Sequence, residues 1–205
     1  MKSAFKDRHE AGQLLAEFLK SWSFDKSNTL VLALPRGGVL VGYEIAKTLK
    51  IPLDVLVVEK IGHPLHPEYY LSGADQIMND RLLSYRKSYP LPSLQDKTVI
   101  LVDDGLMTGV TAMVAAESIK AKGAHEVVLA TPACAKRTAL KLRSNFEKVA
   151  CLIEPIKFVS VAHFYKNFED VSEDEVIQLL QRASEELLKL PKDNLDLSPP
   201  NSFYL

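Results

Sequence analysis

The chain has 205 residues, 25% of them charged and 47% apolar, and a formal net charge of −1. That length holds one domain with a sizeable core, and the composition is ordinary for a soluble globular protein. A balance this close to neutral excludes the basic field that gathers nucleic acid or anionic lipid non-specifically, and no apolar run approaches the ~18 residues of a membrane-spanning helix.

The first ten residues are polar and charged, so no secretory leader is expected and a reducing cytoplasm is the expected compartment. Cys134 and Cys151 are far apart in sequence and neither belongs to a C-x-x-C pair. Both are expected as buried free thiols without a metal or redox role. Residues 7–22 read as an amphipathic helix with Ala11, Leu14, Leu15 and Phe18 on one face. Trp22 and Phe24 then lead into a short polar connection.

Residues 29–34 (TLVLAL) form the first buried strand, ended sharply by Pro35, Arg36, Gly37 and Gly38. A helix over 39–49 follows, with Val41, Ile45 and Leu49 on a shared face. Two consecutive glycines and an arginine at a strand end let backbone amides approach an anion closely. Residues 53–58 (LDVLVV) are the next strand, entered through Pro52 and ending at Glu59 and Lys60. The loop after it carries His63, His66 and Glu68 among Pro64 and Pro67. As a metal set these three are weak, because the prolines favour extended backbone and no complementary ligands accompany them.

Residues 98–111 (TVILVDDGLMTGVT) are the centre of the pattern. Residues 98–102 are β-branched and apolar, as in a strand buried on both faces. Asp103 and Asp104 stand at its end. Gly105, Leu106, Met107, Thr108, Gly109, Val110 and Thr111 make a loop of small residues, and Val110 opens a helical pattern through Ala121. Strand, glycine-bearing loop and helix N-terminus together form an anion site, with loop amides and helix dipole aimed at one spot. Adjacent carboxylates would repel a bare phosphate but accept hydrogen bonds from vicinal hydroxyls, so the ligand is expected to carry both groups. The lysine of a Walker loop is missing, and the acids precede the glycines, unlike a dinucleotide fingerprint.

Beyond this stretch, 126–130 (EVVLA) and 148–153 (KVACLI) read as strands and 134–143 as a basic helix. Strands alternating with helices at these spacings argue for a parallel α/β sheet with right-handed crossovers. Ligands on such sheets collect at the carboxyl ends of strands, where residues 35–38, Lys60 and 103–111 all fall. Residues 154–170 are irregular and aromatic, with Phe158, Phe164 and Tyr165 also readable as plain core. Ser172 and Glu175 form a capping box for a helix bearing Val176, Leu179, Leu180 and Leu187. Residues 191–205 lack periodicity and read as a tail, and no internal repeat occurs.

The acidic stretch closely resembles the signature of type I phosphoribosyltransferases, which bind 5-phosphoribosyl-1-pyrophosphate (PRPP). The resemblance implies a parallel sheet flanked by helices in a single domain over 1–190, with a small hood drawn from about 60–96 and 154–170. It implies that Asp103 and Asp104 hold the ribose 2′- and 3′-hydroxyls, while Gly105, Leu106, Met107, Thr108, Gly109, Val110 and Thr111 surround the 5′-phosphate. It also implies that Arg36, Gly37 and Gly38 grip pyrophosphate, that Lys60 neutralises charge in the transition state, and that Mg²⁺ meets Asp103 and Asp104. A homodimer acting on small molecules is the expected assembly. The run PRGG followed by V-V-x-K-I-G-H-P-x-x-P-E resembles an uncharacterised branch of this family over most of residues 5–180. Three features depart from that branch: the short segment 69–96, Glu59 where arginine is common, and Ala162 where glycine is usual.

The activity so implied is transfer of 5-phosphoribosyl from PRPP to a nitrogenous acceptor with release of pyrophosphate. Met107 stands where hypoxanthine-guanine enzymes carry an aspartate, so the general base is unassigned, with His63 and His66 suited by pKa and equally readable as loop residues. The alternative is a PRPP- or nucleotide-binding regulator without turnover, which the same fold also hosts. A phosphosugar hydrolase finds no nucleophile and base in this sequence.

Overall fold

The computed structural model describes residues 4–58, 85 and 92–189. Lys60, Glu59, His63, His66, Glu68, most of the expected hood before the central strand, and the tail 191–205 lie outside them. Five parallel strands form one sheet: β1 (Thr29–Ala33), β2 (Leu53–Val55), β3 (Thr98–Val102), β4 (Glu126–Ala133) and β5 (Lys148–Ile153), in the order β2-β1-β3-β4-β5. Among the described residues, five complete α-helices flank it: α1 (Arg8–Lys20), α2 (Gly37–Leu49), α3 (Val110–Ala121), α4 (Lys136–Leu142) and α5 (Glu173–Leu188).

The β-branched runs are strands because both faces of the sheet are covered. Val31, Ile100 and Val128 point into a core with α1, α2 and α5, whereas Leu32, Leu101 and Leu129 point into a second core with α3 and α4. Successive side chains on a strand alternate faces, so each apolar run supplies both layers at once.

Strand boundaries differ from the sequence reading where partners run out. The second strand stops at Val55 instead of residue 58, since β1 ends at Ala33 and Leu56 N donates the last bond, to Ala33 O at 3.0 Å. The fourth runs on to Ala133, beyond residue 130, because β5 continues to pair with it through Ala133 and Ile153. Pro132 is tolerated there, past Ala130, the last residue in register with β3.

The face expected for α1 is corrected. Leu14 and Phe18 are 49% and 44% exposed, and the buried stripe is Arg8, Ala11, Gly12, Leu15, Ala16 and Leu19. Small residues at 11, 12 and 16 let α1 lie directly on α2: a Cβ at Gly12 would sit 2.9 Å from Glu44 Cβ and 3.0 Å from Val41 O. Phe18 instead leans edge-on against Trp22, ring centroids 5.7 Å apart. The two cysteines are also closer than their sequence separation suggests, since β4 and β5 are neighbours. Hydrogen bonding between the thiols raises the Cys134 pKa and lowers that of Cys151.

Candidate functional site

The chain begins the sheet at β1, moves outward to β2, then returns to the other side of β1 to place β3. The crossover helices α2 and α3 therefore cover opposite faces, and the strand order reverses between β1 and β3, the point at whose carboxyl end a ligand crevice is expected on such sheets. The PRGG turn and the DDGLMTGVT loop leave from those two ends. Leu34 N donates to Val102 O at 2.8 Å and fixes one strand end against the other.

Both glycines of PRGG lie in the first turn of α2, two residues earlier than the expected helix start. Their missing side chains are what permits the approach. A Cβ on Gly37 would fall 2.0 Å from Asp104 Oδ2, and one on Gly38 would fall 2.9 Å from Val102 O. The first turn of α2 thus rests on the acidic pair. Arg36 is exposed beside it, follows a cis Pro35–Arg36 peptide, and lines a cavity of about 260 Å³ with Pro35, Val57, Tyr85 and Glu173.

On the other side of the crevice, Gly109 takes φ +72 and turns the loop into α3. This left-handed conformation suits glycine, and a Cβ there would also meet Thr138 Cγ2 at 2.9 Å. Thr138 Oγ1 donates to Met107 O at 2.5 Å and anchors the loop to α4. Leu106 differs from its neighbours: its side chain is buried, and its amide donates to Ala133 O at 2.8 Å. Thr108 and Met107 are exposed, and Thr111 is half-buried in the first turn of α3.

Three of the described helices, α2, α3 and α4, start without a side-chain cap, and two of these, α2 and α3, start at the ends of β1 and β3. Asp7 caps α1 by accepting from Glu10 N at 2.9 Å, and Ser172 caps α5 by accepting from Glu175 N at 3.1 Å. The N-termini of α2 and α3 have no side-chain cap and no acidic residue in their first turns. Their first amides retain the donors and the positive dipole end that an anion binds.

Between these two termini stand the carboxylates. Asp103 Oδ1 accepts from Asp104 N at 2.9 Å. Burial, and next the charge of Asp104, push the Asp103 pKa well above the usual carboxylate range. Asp104 Oδ2 accepts from Arg8 Nε at 2.7 Å, with only 8% of the Arg8 side chain and 14% of the Asp104 side chain exposed. The Arg8 guanidinium lies 3.8 Å from the centre of the Phe168 ring and donates through Nη1 to Glu169 O at 2.8 Å. Tyr165 Oη donates to Asp104 O at 2.5 Å, and burial, aided by the Asp104 charge, raises its pKa.

The aromatic segment after β5 thus does more than fill the core. Phe5 bridges to Tyr165 in parallel, and Lys166 N donates to Phe5 O at 2.9 Å, so the segment straps the N-terminal residues across the end of β3. Val161 packs on Gly105, where a Cβ would fall 2.6 Å from Val161 Cγ1. Arg8 was absent from the residues singled out by sequence. The signal was there: extending the stripe of Ala11, Leu15 and Leu19 back one turn places a cation on the buried face of α1.

A model of the phosphoribosyl transferase domain matches residues 2–167. The chain belongs to the phosphoribosyl transferase domain family. Two Mycobacterium tuberculosis proteins, one from each of two strains and both provisionally named phosphoribosyl transferases, are 34% identical over 226 aligned positions. Those alignments take in 96% of this chain and 51% of the relatives, so the chain spans about half the length of the curated proteins it matches. Among solved structures, TT1426 of Thermus thermophilus is 28% identical with a TM-score of 0.77, covering 89% of this chain and 99% of that one. AQ2163 of Aquifex aeolicus is 14% identical with a TM-score of 0.50, covering 77% of this chain and 83% of its own, a likeness of fold alone. The phosphoribosyl transferase match contains both loops of the crevice, the acidic pair and the strap through Tyr165, but ends before Phe168, Glu169 and α5.

Proposed function

We propose that this phosphoribosyl transferase domain moves a 5-phosphoribosyl group from PRPP to a nitrogen of a base-like acceptor and releases pyrophosphate. One observation carries the reading: two uncapped helix N-termini face one crevice with a pair of carboxylates between them. PRPP has the matching order of groups, an anion at each end and vicinal hydroxyls in the middle. The amides at the start of α3, with the hydroxyls of Thr108 and Thr111, hold the 5′-phosphate. Asp103 and Asp104 accept from the ribose hydroxyls, and Gly37, Gly38 and Arg36 hold pyrophosphate, with Lys60 as a second cation from the sequence reading.

In the transfer, the bond from the anomeric carbon to pyrophosphate breaks with its electron pair leaving on oxygen. A carbon–nitrogen bond forms, and the acceptor nitrogen loses its proton. Positive charge on the ribose ring is met by the nearby acids, and the charge of the leaving group by Arg36 and the α2 dipole. The acidic pair suits Mg²⁺, which takes hard oxygen ligands and is commonly held by one or two carboxylates plus substrate phosphates. No group of three or more metal-ligating side chains occurs among the described residues, so ligand oxygens would complete the set held by Asp103 and Asp104. When bound, the ion would supply neutralisation of the pyrophosphate charge. A homodimer and a cytoplasmic location belong to the same reading, and no described helix is long and apolar enough to cross a membrane.

A second reading, a PRPP-binding regulator without turnover, is favoured by Met107, whose thioether accepts no ring proton at the exposed tip of the loop. Pyrophosphate release from PRPP and Mg²⁺ with pooled purines, pyrimidines and related heterocycles separates the two. Catalytic release, depressed in Arg36→Ala more than ribose 5-phosphate binding is weakened, is the expected result. Tight PRPP binding, no release from any pool and a change of oligomeric state or partner affinity on binding would together favour the regulator, and release independent of Arg36 would overturn the assignment of the PRGG turn.

A further inference from the structure

Arg8 is a buried cation that the transfer described above leaves without a task. Its guanidinium is held from three sides by Asp104, by the Phe168 ring and by the Glu169 carbonyl. The strap that supplies the last two also supplies Tyr165, whose hydroxyl holds the carbonyl of Asp104. Asp104 is therefore fixed at its backbone and at one carboxylate oxygen. Gly37 closes the same side, since a Cβ there would lie 2.0 Å from Oδ2 and 2.9 Å from Arg8 Nε. Besides Arg8, the neighbouring Asp103 carboxyl is the side chain that engages this carboxylate; no amide, guanidinium or hydroxyl of the described residues donates to Oδ1, which is the acceptor left for a ligand.

We propose that Arg8 is a positioning residue that commits Oδ2 of Asp104 and aims Oδ1 at a sugar hydroxyl, giving the site its preference for ribose over deoxyribose phosphates. The inference rests on the PRPP reading and deepens it. A guanidinium suits the task because its planar fork bonds a carboxylate and a carbonyl at once while its face stacks on an aromatic ring. Geometry this rigid turns a general attraction for polar ligands into a directed hydrogen bond, and the difference between hydroxyl and hydrogen then registers as specificity.

The test uses calorimetric titration of the full chain with ribose 5-phosphate, 2-deoxyribose 5-phosphate, 3-deoxyribose 5-phosphate and pyrophosphate. The native protein is expected to prefer ribose 5-phosphate. Arg8→Met is expected to lose affinity for it roughly ten- to hundredfold, the range of one hydrogen bond to a charged group. At least one deoxy sugar and pyrophosphate should change little. Arg8→Lys, with one donor on a flexible stem, should recover part of the preference. Should Arg8→Met fail to fold, Phe168→Ala removes a ring that is 38% exposed and loosens the same clasp. It should give a smaller loss confined to the hydroxyl-bearing sugar. A merely structural role would lower all four ligands together, and that result overturns the inference. So does a folded variant that keeps the native preference. A native protein that binds no sugar phosphate overturns the PRPP reading itself, and the inference with it.

Discussion

Asp103 and Asp104 are adjacent in sequence, yet the fold places them in opposite electrostatic situations. Asp104 faces a buried guanidinium, whereas Asp103 has burial and the charge of Asp104 acting against its ionisation. Its folded-state pKa lies above the unfolded value, so the folded protein holds the proton longer. Stability from this group is present at low pH and is lost as pH rises from the unfolded pKa through the folded one. At neutral pH, Asp103→Asn should therefore raise Tm while weakening PRPP binding. Asp104→Asn should weaken PRPP binding too but lower Tm, through a stability loss on the order of 3 kcal/mol, because Arg8 stays buried without its counter-charge. Thermal unfolding at pH 7 with calorimetric PRPP titration checks both, and Tm shifts of the same sign would contradict the pairing.

Among the elements, the contact of α1 with α2 matters most to the site, since α1 starts at Arg8 and α2 at Gly37. That contact depends on Gly12. Alanine is the better helix former by about 1 kcal/mol, which alone would make Gly12→Ala stabilising. The new methyl, however, would meet Val41 O at 3.0 Å and Val41 Cα at 3.1 Å, both backbone atoms that cannot rotate away. Overpacking costs about 1–3 kcal/mol, so the steric term wins and the urea midpoint should fall. Leu14→Ala, on the exposed face of the same helix, should stay within about 0.5 kcal/mol. The reverse order of the two effects would mean that the buried stripe has been assigned to the wrong face.

At the level of the whole molecule, the crevice joins parts contributed by both layers: α1 and α2 from one face of the sheet, α3 from the other. A ligand bridging both helix N-termini binds only when the sheet is formed, so it stabilises the folded state by mass action. PRPP at about 100 times its Kd should add about 2.7 kcal/mol, or roughly 5–10 °C in Tm for a chain of this size. Chelation of Mg²⁺ should remove most of that shift, and Thr111→Val should reduce it. An equal shift with pyrophosphate alone would show that the α3 end of the crevice is not engaged.

The sequence by itself determined the sheet and the position of both loops. Apolar runs such as 98–102 require burial on two faces, and glycines at strand ends are local signals that need no knowledge of neighbours. It also marked Ser172 as a cap, since that bond spans three residues. Only the tertiary structure decided the partners. The contact of Arg8 with Asp104 joins residues 96 apart, and that of Arg8 with Glu169 joins residues 161 apart. Which face of α1 is buried was settled in the same way. A pattern of Ala11, Leu14, Leu15 and Phe18 allows two overlapping stripes, and the close approach of α2 selects the one with the small residues. Periodicity specifies that a face exists. Shape complementarity with a distant element specifies which face it is, and here that choice brings Arg8 to Asp104.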